Sequence, residues 1–196
     1  MKIGLFFGTF NPIHTGHLVI ANYMANYTDL NKVWLVVTPH NPLKQKETLL
    51  KDHHRLKLAQ LATEDNLKLK VSDIEFKLTQ PSFTINTLLH LKEKYPAKEF
   101  VLIMGEDNLK TLHKWKNYEE IVNQFSIYVY PRIQSAISEK EILENKKYPK
   151  VKIFPDVPMM NISSTFIRKA IKEKKDITYL VPEKVRNYII EMNFYR

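Results

Sequence analysis

The chain has 196 residues, of which 44% are hydrophobic and 26% charged, the balance of an ordinary globular protein. It contains no cysteine, which excludes disulfides, thiolate metal sites and cysteine nucleophiles. No apolar run reaches the roughly 18 residues that a transmembrane helix needs, so we expect no membrane partner, and the lack of cysteine fits a cytoplasmic protein. The net charge of +9 is not concentrated in a tail, which favours a solubilising surface over a nucleic-acid-binding stripe.

Apolar runs alternate with segments of helical period along the chain. Strands are predicted at residues 2–7, 33–37, 67–71, 100–104, 125–130 and 151–154. Helices are predicted at residues 16–27, 52–64, 82–95, 118–123 and 163–172, and Pro182 opens a last one. The expected helix caps are Asp52, Ser82 and Ser163.

Strands rich in Val, Ile, Leu and Phe that alternate with helices predict an α/β fold, a Rossmann-like doubly wound parallel sheet flanked by helices. We expect one domain over residues 1–196, with a small helical C-terminal part at about residues 160–196. In such folds, ligands bind beyond the carboxyl ends of the strands. The polar stretch from Pro39 to Lys51, which follows the second strand, is the expected mobile loop.

Glycine is scarce in this chain, with four residues where an average chain of this length would have about 14. Three of them, Gly4, Gly8 and Gly16, lie in the first 16 residues. Glycine used so sparingly is expected where the backbone demands it. The first strand therefore runs into a tight, glycine-assisted loop, and a helix begins near Thr15 or Gly16.

A strand–loop–helix junction presents backbone N–H groups and a positive helix end to an anion. His14 and His17 are three residues apart, so both imidazoles face the same side of the first helical turn. Gly16 between them leaves room for a phosphate. Two imidazole donors aimed at one anion suit a phosphoryl-type transition state. In the alternative interpretation, His14 only caps the helix and His17 is a core residue.

A second junction of this kind lies near the end of the sequence, at Ile162-Ser163-Ser164-Thr165-Phe166-Ile167-Arg168. Hydroxyls and N–H groups at a helix start can bind phosphate oxygens, and Arg168 is long enough to reach back to them. The alternative is a serine-capped helix with a surface arginine. The two common phosphate loops, G-x-G-x-x-G and G-x-x-x-x-G-K-[ST], do not occur, which disfavours dehydrogenases and P-loop kinases.

The segment Gly8-Thr9-Phe10-Asn11-Pro12-Ile13-His14-Thr15-Gly16-His17, together with the second junction, resembles the HxGH nucleotidyltransferase superfamily. Within it, the chain resembles bacterial nicotinate-nucleotide adenylyltransferases along nearly its whole length. The further matches are Trp34 to Pro39 with Asn41 and Lys44, Pro81 to Leu88, Ile103 to Asn108, Lys114 to Ile121, and Tyr179 to Pro182.

The resemblance implies roles for particular residues. The triphosphate and the charge at the α-phosphorus would be held by His14, His17, Lys44 and Arg168. The ATP site would also include Gly8, Thr9, Phe10, Ser163, Ser164 and Thr165. The acceptor mononucleotide would be surrounded by Asn41, Thr84, Asp107, Trp115 and Arg132. The order Pro39-His40-Asn41-Pro42-Leu43-Lys44 departs from the family pattern, so Lys46 is the alternative to Lys44, and Arg132 follows Pro131 where the family has arginine first.

The resemblance also implies that AMP is transferred from ATP to nicotinate mononucleotide in NAD biosynthesis, giving deamido-NAD and pyrophosphate. Mg²⁺ would be bound through the ATP phosphates, because no cluster of carboxylates forms a protein cage. The alternative acceptors are nicotinamide mononucleotide and phosphopantetheine. A non-catalytic nucleotide- or nucleic-acid-binding module is the alternative of another class.

Three further features of the sequence bear on surface and assembly. Trp34 and the aromatic residues between Phe125 and Tyr130 are expected in the core. His53 and His54 are expected on the surface or facing a loop. The closing aromatics Phe194 and Tyr195 either dock on the fold or pack at a contact between two copies, so the sequence permits a homodimer.

Overall fold

The computed structural model describes residues 1–39, 49–131 and 148–196. Six β-strands and seven α-helices occupy these ranges: β1 (Lys2–Gly8), α1 (Thr15–Tyr27), β2 (Lys32–Val37), α2 (Asp52–Thr63), β3 (Leu69–Ser72), α3 (Thr84–Lys94), β4 (Glu99–Gly105), α4 (Glu106–Thr111), α5 (Tyr118–Gln124), β5 (Ser126–Tyr130), β6 (Val151–Ile153), α6 (Ser164–Lys172) and α7 (Glu183–Glu191). Two short 3₁₀ turns lie at Ile74–Lys77 and Leu112–Lys114.

The strands form one parallel sheet in the order β3-β2-β1-β4-β5-β6. Strand β1 lies in the middle, and the chain winds outward from it first through β2 to β3 and later through β4 to β6. The predicted Rossmann-like doubly wound sheet is therefore confirmed. The strand order reverses between β1 and β4, and ligands of such sheets bind beyond the carboxyl ends of the strands at that point.

The hydrophobic core lies on both faces of this sheet, because consecutive strand residues point to opposite sides. On one face Phe6, Leu35 and Ile103 pack with α1, α2, α6 and α7. On the other face Leu5 and Trp34 are buried with residues of α3 and α5. Because both faces of the sheet are covered, the strands consist mainly of continuous apolar runs. The prediction that Trp34 belongs to the core is confirmed.

Two of the three predicted helix caps were wrong. Lys51, not Asp52, is the N-cap of α2, and Asp52 pairs with the guanidinium of Arg55 at 2.6 Å. Phe83, not Ser82, precedes α3 and makes no side-chain cap. The Ser163 cap is confirmed, since its hydroxyl accepts a hydrogen bond from the Phe166 N–H at 3.1 Å.

The sequence patterns also missed α4, which follows β4 without a connecting loop. Its first turn contains Glu106 and Asp107, and acidic residues in that position are favoured by the helix dipole. That signal was present in the sequence but was too short to give a helical period. Among the described residues, no helix has the length and apolar character of a membrane span.

Candidate active site

The loop between β1 and α1, residues 9–14, starts at the carboxyl end of the central strand. Phe10 has a φ of 46°, in the left-handed region that an aromatic residue enters only at a cost. None of the four glycines has a positive φ. A Cβ on Gly8 would lie 2.8 Å from the Phe10 ring, so Gly8 is needed for a close approach. The expected glycine-assisted turn is thus made by Phe10, and Gly8 leaves the space for it.

His14 and His17 form a stacked pair at the end of this loop. Their ring centroids are 3.6 Å apart and their planes differ by 25°. His14 is the N-cap of α1 and is buried, while His17 is half-buried in the first turn. The Phe10 ring meets the His17 ring edge to face at 5.1 Å. The left-handed turn at Phe10 therefore helps to hold His17.

The two histidines exchange long hydrogen bonds with each other's backbone. The His17 N–H donates to Nδ1 of His14 at 3.4 Å, and the His14 N–H donates to Nδ1 of His17 at 3.3 Å. In the neutral ring, a nitrogen that accepts a hydrogen bond carries no proton, so this geometry leaves Nε2 of each ring as the atom that can donate. The interpretation that His14 caps the helix is correct, and the same contact orients it as an Nε2–H donor.

The start of α6 is fastened to the β1–α1 loop. The hydroxyl of Ser164 donates to the Pro12 carbonyl at 2.9 Å. Arg168 donates from Nη1 to the Asn11 carbonyl at 2.8 Å and from Nη2 to the Thr165 hydroxyl at 3.3 Å. The expected reach of Arg168 back to its helix start is present. Two helix starts and one guanidinium thus converge on one place, and each contributes positive potential for an anion.

These residues line one cleft of about 800 Å³ beyond the carboxyl ends of β1 and β4. The residues predicted for ATP that line it are Gly8, Thr9, Phe10, His14, His17, Ser163, Ser164, Thr165 and Arg168. The residues predicted for the acceptor that line it are Thr84, Asp107 and Trp115. The cleft has the size and position of a small-molecule site in an α/β fold.

The three predicted acceptor residues come from separate elements of the cleft wall. Thr84 is the first residue of α3, Asp107 lies in the first turn of α4, and Trp115 follows the 3₁₀ turn. Lys114 and Lys116 line the same cleft. Asn41, Lys44, its alternative Lys46 and Arg132 lie outside the described residues, as does most of the predicted loop from Pro39 to Lys51.

Arg55, which the sequence patterns did not single out, stabilises the backbone of the segments next to the cleft. Its guanidinium is fully buried. It donates to the carbonyls of Thr9 at 2.6 Å, Thr38 at 2.8 Å, Pro39 at 3.0 Å and Leu50 at 3.0 Å. These carbonyls belong to three chain segments at the carboxyl edge of the sheet. Burial lowers the pKa of Arg55, and the hydrogen bond to the Asp52 carboxylate opposes that shift.

A signal for Arg55 was present in the sequence. The buried residues of α2 are Arg55, Leu58, Ala59 and Thr63, and Leu56 and Leu61 are half-buried against the same core. A charged residue in register with the inward-facing positions of a helix indicates a buried hydrogen-bonding role. The partners could not be predicted, because they are backbone atoms of distant segments.

Glu75 is a second buried charge at the cleft that sequence reasoning missed. It lies in the 3₁₀ turn after β3 and is 2% exposed. The hydroxyl of Thr87 donates to Oε1 at 2.7 Å. Burial raises the pKa of Glu75, and the hydrogen bond from Thr87 only partly opposes that shift.

This raised pKa predicts how the fold responds to pH. A carboxyl whose pKa is raised by folding stabilises the protein below its unfolded pKa, and the contribution is lost as pH rises through the folded pKa. Glu75→Gln removes that titration. The melting temperature of the variant relative to the parent is therefore expected to rise between about pH 4 and about pH 8. Thermal melts across this range check it, with exposed Glu119→Gln as the control; a parallel pair of curves would contradict the expectation.

Comparison with known proteins identifies the family to which this chain belongs. The family model Cytidylyltransferase-like matches residues 5–170, most of the chain. The chain belongs to this family and, within it, to the group of relatives named probable nicotinate-nucleotide adenylyltransferase. The relative from Flavobacterium johnsoniae is 62% identical over 100% of both chains. The relative from Bacteroides fragilis is 45% identical over 97% of this chain and 92% of its own.

Solved structures give the same fold. The nicotinic acid mononucleotide adenylyltransferase of Plasmodium falciparum, complexed with NaAD, superposes with a TM-score of 0.83. The comparison covers 99% of this chain and 97% of that one at 22% identity. At that identity the likeness establishes the shared architecture alone.

Proposed function

We propose that this protein is a nicotinate-nucleotide adenylyltransferase, which transfers AMP from ATP to nicotinate mononucleotide and releases pyrophosphate and deamido-NAD in NAD biosynthesis. One observation carries the proposal. Two helix starts that are far apart in sequence, those of α1 and α6, meet at one cleft and bring His14, His17 and Arg168 together. The relatives' names supply the acceptor.

ATP is the donor in this proposal, and its phosphates lie where the positive groups converge. The Nε2–H groups of His14 and His17 donate to the α-phosphate, and Arg168 supplies a guanidinium beside them. Thr165 and the start of α6 meet the outer phosphates. The backbone of Gly8, Thr9 and Phe10 lines the AMP site. Lys44, or Lys46 in its place, completes the triphosphate contacts.

The reaction is an in-line displacement at the α-phosphorus of ATP. An oxygen of the acceptor's phosphate attacks, a new P–O bond forms, and the bond to the β-phosphate oxygen breaks as pyrophosphate leaves. The attacking phosphate is already anionic near neutral pH, so the step needs no strong general base. Charge that develops on the oxygens of the α-phosphate is stabilised by the histidine N–H groups.

Mg²⁺ accompanies the ATP phosphates in this proposal. In the described ranges, no group of three or more His, Cys, Asp or Glu side chains lies close enough to hold a metal ion. The residues at the cleft therefore fit an ion held by phosphate oxygens and water, a usual mode for Mg²⁺ at nucleotide sites. When bound, such an ion neutralises phosphate charge.

The acceptor occupies the part of the cleft that contains Thr84, Asp107 and Trp115, with Asn41 and Arg132 as further contacts. Trp115 presents an aromatic face on which a pyridine ring can stack. Lys114 and Lys116 line the same cleft and place positive charge near the acceptor, which favours the acid over the amide. These charges support nicotinate mononucleotide over nicotinamide mononucleotide and phosphopantetheine.

Parallel assays with the three acceptors test this choice. We expect kcat/KM for nicotinate mononucleotide to exceed that for the amide by roughly tenfold or more, and phosphopantetheine to be inactive. Pyrophosphate release at matched acceptor concentrations is the measurement. Equal or better use of the amide would overturn the choice of acceptor and leave the adenylyl-transfer chemistry in place.

The net charge of +9 is the one observation that favours a nucleic-acid-binding module instead. We propose that this charge serves small phosphorylated substrates and a soluble surface, without a nucleic-acid or membrane partner and in the cytoplasm. A homodimer remains a prediction of the sequence.

A further inference from the structure

The closing segment, residues 192–196, folds back onto the body of the protein after α7. Phe194 is buried, its N–H donates to the Ile189 carbonyl at 3.1 Å, and its ring contacts those of His54 and Tyr188. Of the two alternatives for these aromatics, the docked segment is observed. The same contact corrects the surface assignment of His54, which is half-buried, while His53 is exposed. Phe194 thus fixes the position of the residue that follows it.

Tyr195 extends from this anchor to the loop between β1 and α1. Its hydroxyl donates to Oδ1 of Asn11 at 2.7 Å, across 184 positions of sequence. The hydroxyl stays protonated at neutral pH, because burial raises the pKa of Tyr195 more than the nearby Arg168 and Arg55 lower it. Tyr195 is therefore a neutral hydrogen-bond donor to the loop.

Asn11 is the point where several supports of the loop meet. It is 4% exposed. Its Oδ1 accepts from Tyr195 and, at 3.2 Å, from the Leu50 N–H, while its carbonyl accepts from Arg168. The next residue, Pro12, accepts from Ser164. A shift of Asn11 would be transmitted both to His14, three residues further on, and to the guanidinium of Arg168.

We propose that Tyr195 is a positioning residue of the active site, which holds Asn11 and through it sets the placement of His14 and Arg168. The closing segment is then a working part of the cleft rather than only a cover for the hydrophobic core. The proposal rests on the proposed adenylyl transfer for its activity readout. It adds a residue outside the two motifs to the set that determines turnover.

Tyr195→Phe tests this with the loss of a single oxygen atom. We expect kcat for pyrophosphate release to fall about tenfold, because a hydrogen bond that orients reacting groups is lost. KM for ATP and for the acceptor should stay within about twofold, since the groups that contact the substrates remain. Asn11→Ala should lower kcat at least as much, because it also removes the acceptor of the Leu50 N–H, and the double variant should lose no more than Asn11→Ala alone.

Tyr188→Phe is the matched control. The Tyr188 hydroxyl lies 3.0 Å from Nδ1 of His54 in the same aromatic cluster, away from the loop. This variant should lower the melting temperature as much as Tyr195→Phe or more, yet keep kcat near that of the parent. A chain lacking only Arg196 should also behave like the parent.

The outcomes are distinguishable. A kcat of Tyr195→Phe equal to that of the parent would overturn the positioning role. Equal losses of kcat in Tyr195→Phe and Tyr188→Phe would also overturn it, because they would indicate a purely structural effect. Additive losses in the double variant with Asn11→Ala would also overturn it. If the parent protein itself released no pyrophosphate from ATP and nicotinate mononucleotide, the proposed function would fail instead.

Discussion

His17→Ala is expected to lower kcat by roughly 10²–10³-fold, the usual effect of removing one preorganised donor to a developing oxyanion. The fold should survive, because His17 is half-buried and the hydrogen bond that its Nδ1 accepts from the His14 N–H is long, at 3.3 Å. Steady-state pyrophosphate release and a thermal melt of the same sample are the measurements. KM should change little, because the lost interaction strengthens mainly in the transition state.

His53→Ala is the control for this substitution. His53 is an exposed histidine at the start of α2 and is not part of the cleft lining. It should leave kcat and the melting temperature near parent values. Turnover close to normal in His17→Ala would contradict the role of His17. The other positive groups of the cleft would then have to supply the charge stabilisation.

Arg55→Ala is expected to have the largest effect on stability, roughly 3–5 kcal/mol in the free energy of unfolding. The substitution leaves the carbonyls of Thr9, Thr38, Pro39 and Leu50 without their charged donor, the one at Pro39 buried and the others partly buried. At about 2–4 °C per kcal/mol for a chain of this size, the melting temperature should fall by roughly 6–20 °C. Thermal and urea unfolding measure the loss.

Arg186→Ala is the matched arginine control. Arg186 is half-buried on α7 and donates one hydrogen bond, to the Thr178 hydroxyl at 3.1 Å. Its loss should cost about 1 kcal/mol or less. Similar melting temperatures for the two alanine variants would show that Arg55 is not the main support of these loops. Arg55→Lys should fall between them, because a single ammonium group cannot replace the spaced donors with which the guanidinium reaches four separate carbonyls.

The parts of the fold that were predictable from sequence are those whose signals are local. The apolar run of β1, the polar turn after it and the Ser163 cap each depend on neighbouring residues, so their pattern is visible in the chain. The parallel sheet could be predicted because apolar strands alternate with helices along the chain. The predicted caps at Asp52 and Ser82 were wrong, because the Asp52 carboxylate pairs with the buried guanidinium of Arg55 within the first turn of α2, and α3 begins after Phe83 without a side-chain cap.

The site was predictable to the extent that its residues belong to motifs. The predicted site residues within the described part of the chain do line one cleft. The residues that hold them in place could not be predicted from the sequence. Arg55 bonds to backbone carbonyls, whose positions exist only in the fold, and Tyr195 reaches Asn11 from the other end of the chain. Neither contact leaves a spacing or a period that a sequence pattern could record.

The most direct test of the account is a single incubation of the protein with ATP, Mg²⁺ and nicotinate mononucleotide, without any polynucleotide. Pyrophosphate and deamido-NAD are quantified over time, and His17→Ala is run beside the parent. The proposed adenylyl transfer predicts equal amounts of pyrophosphate and deamido-NAD from the parent and nearly none from His17→Ala. Absence of deamido-NAD, or pyrophosphate release only after a polynucleotide is added, would contradict it.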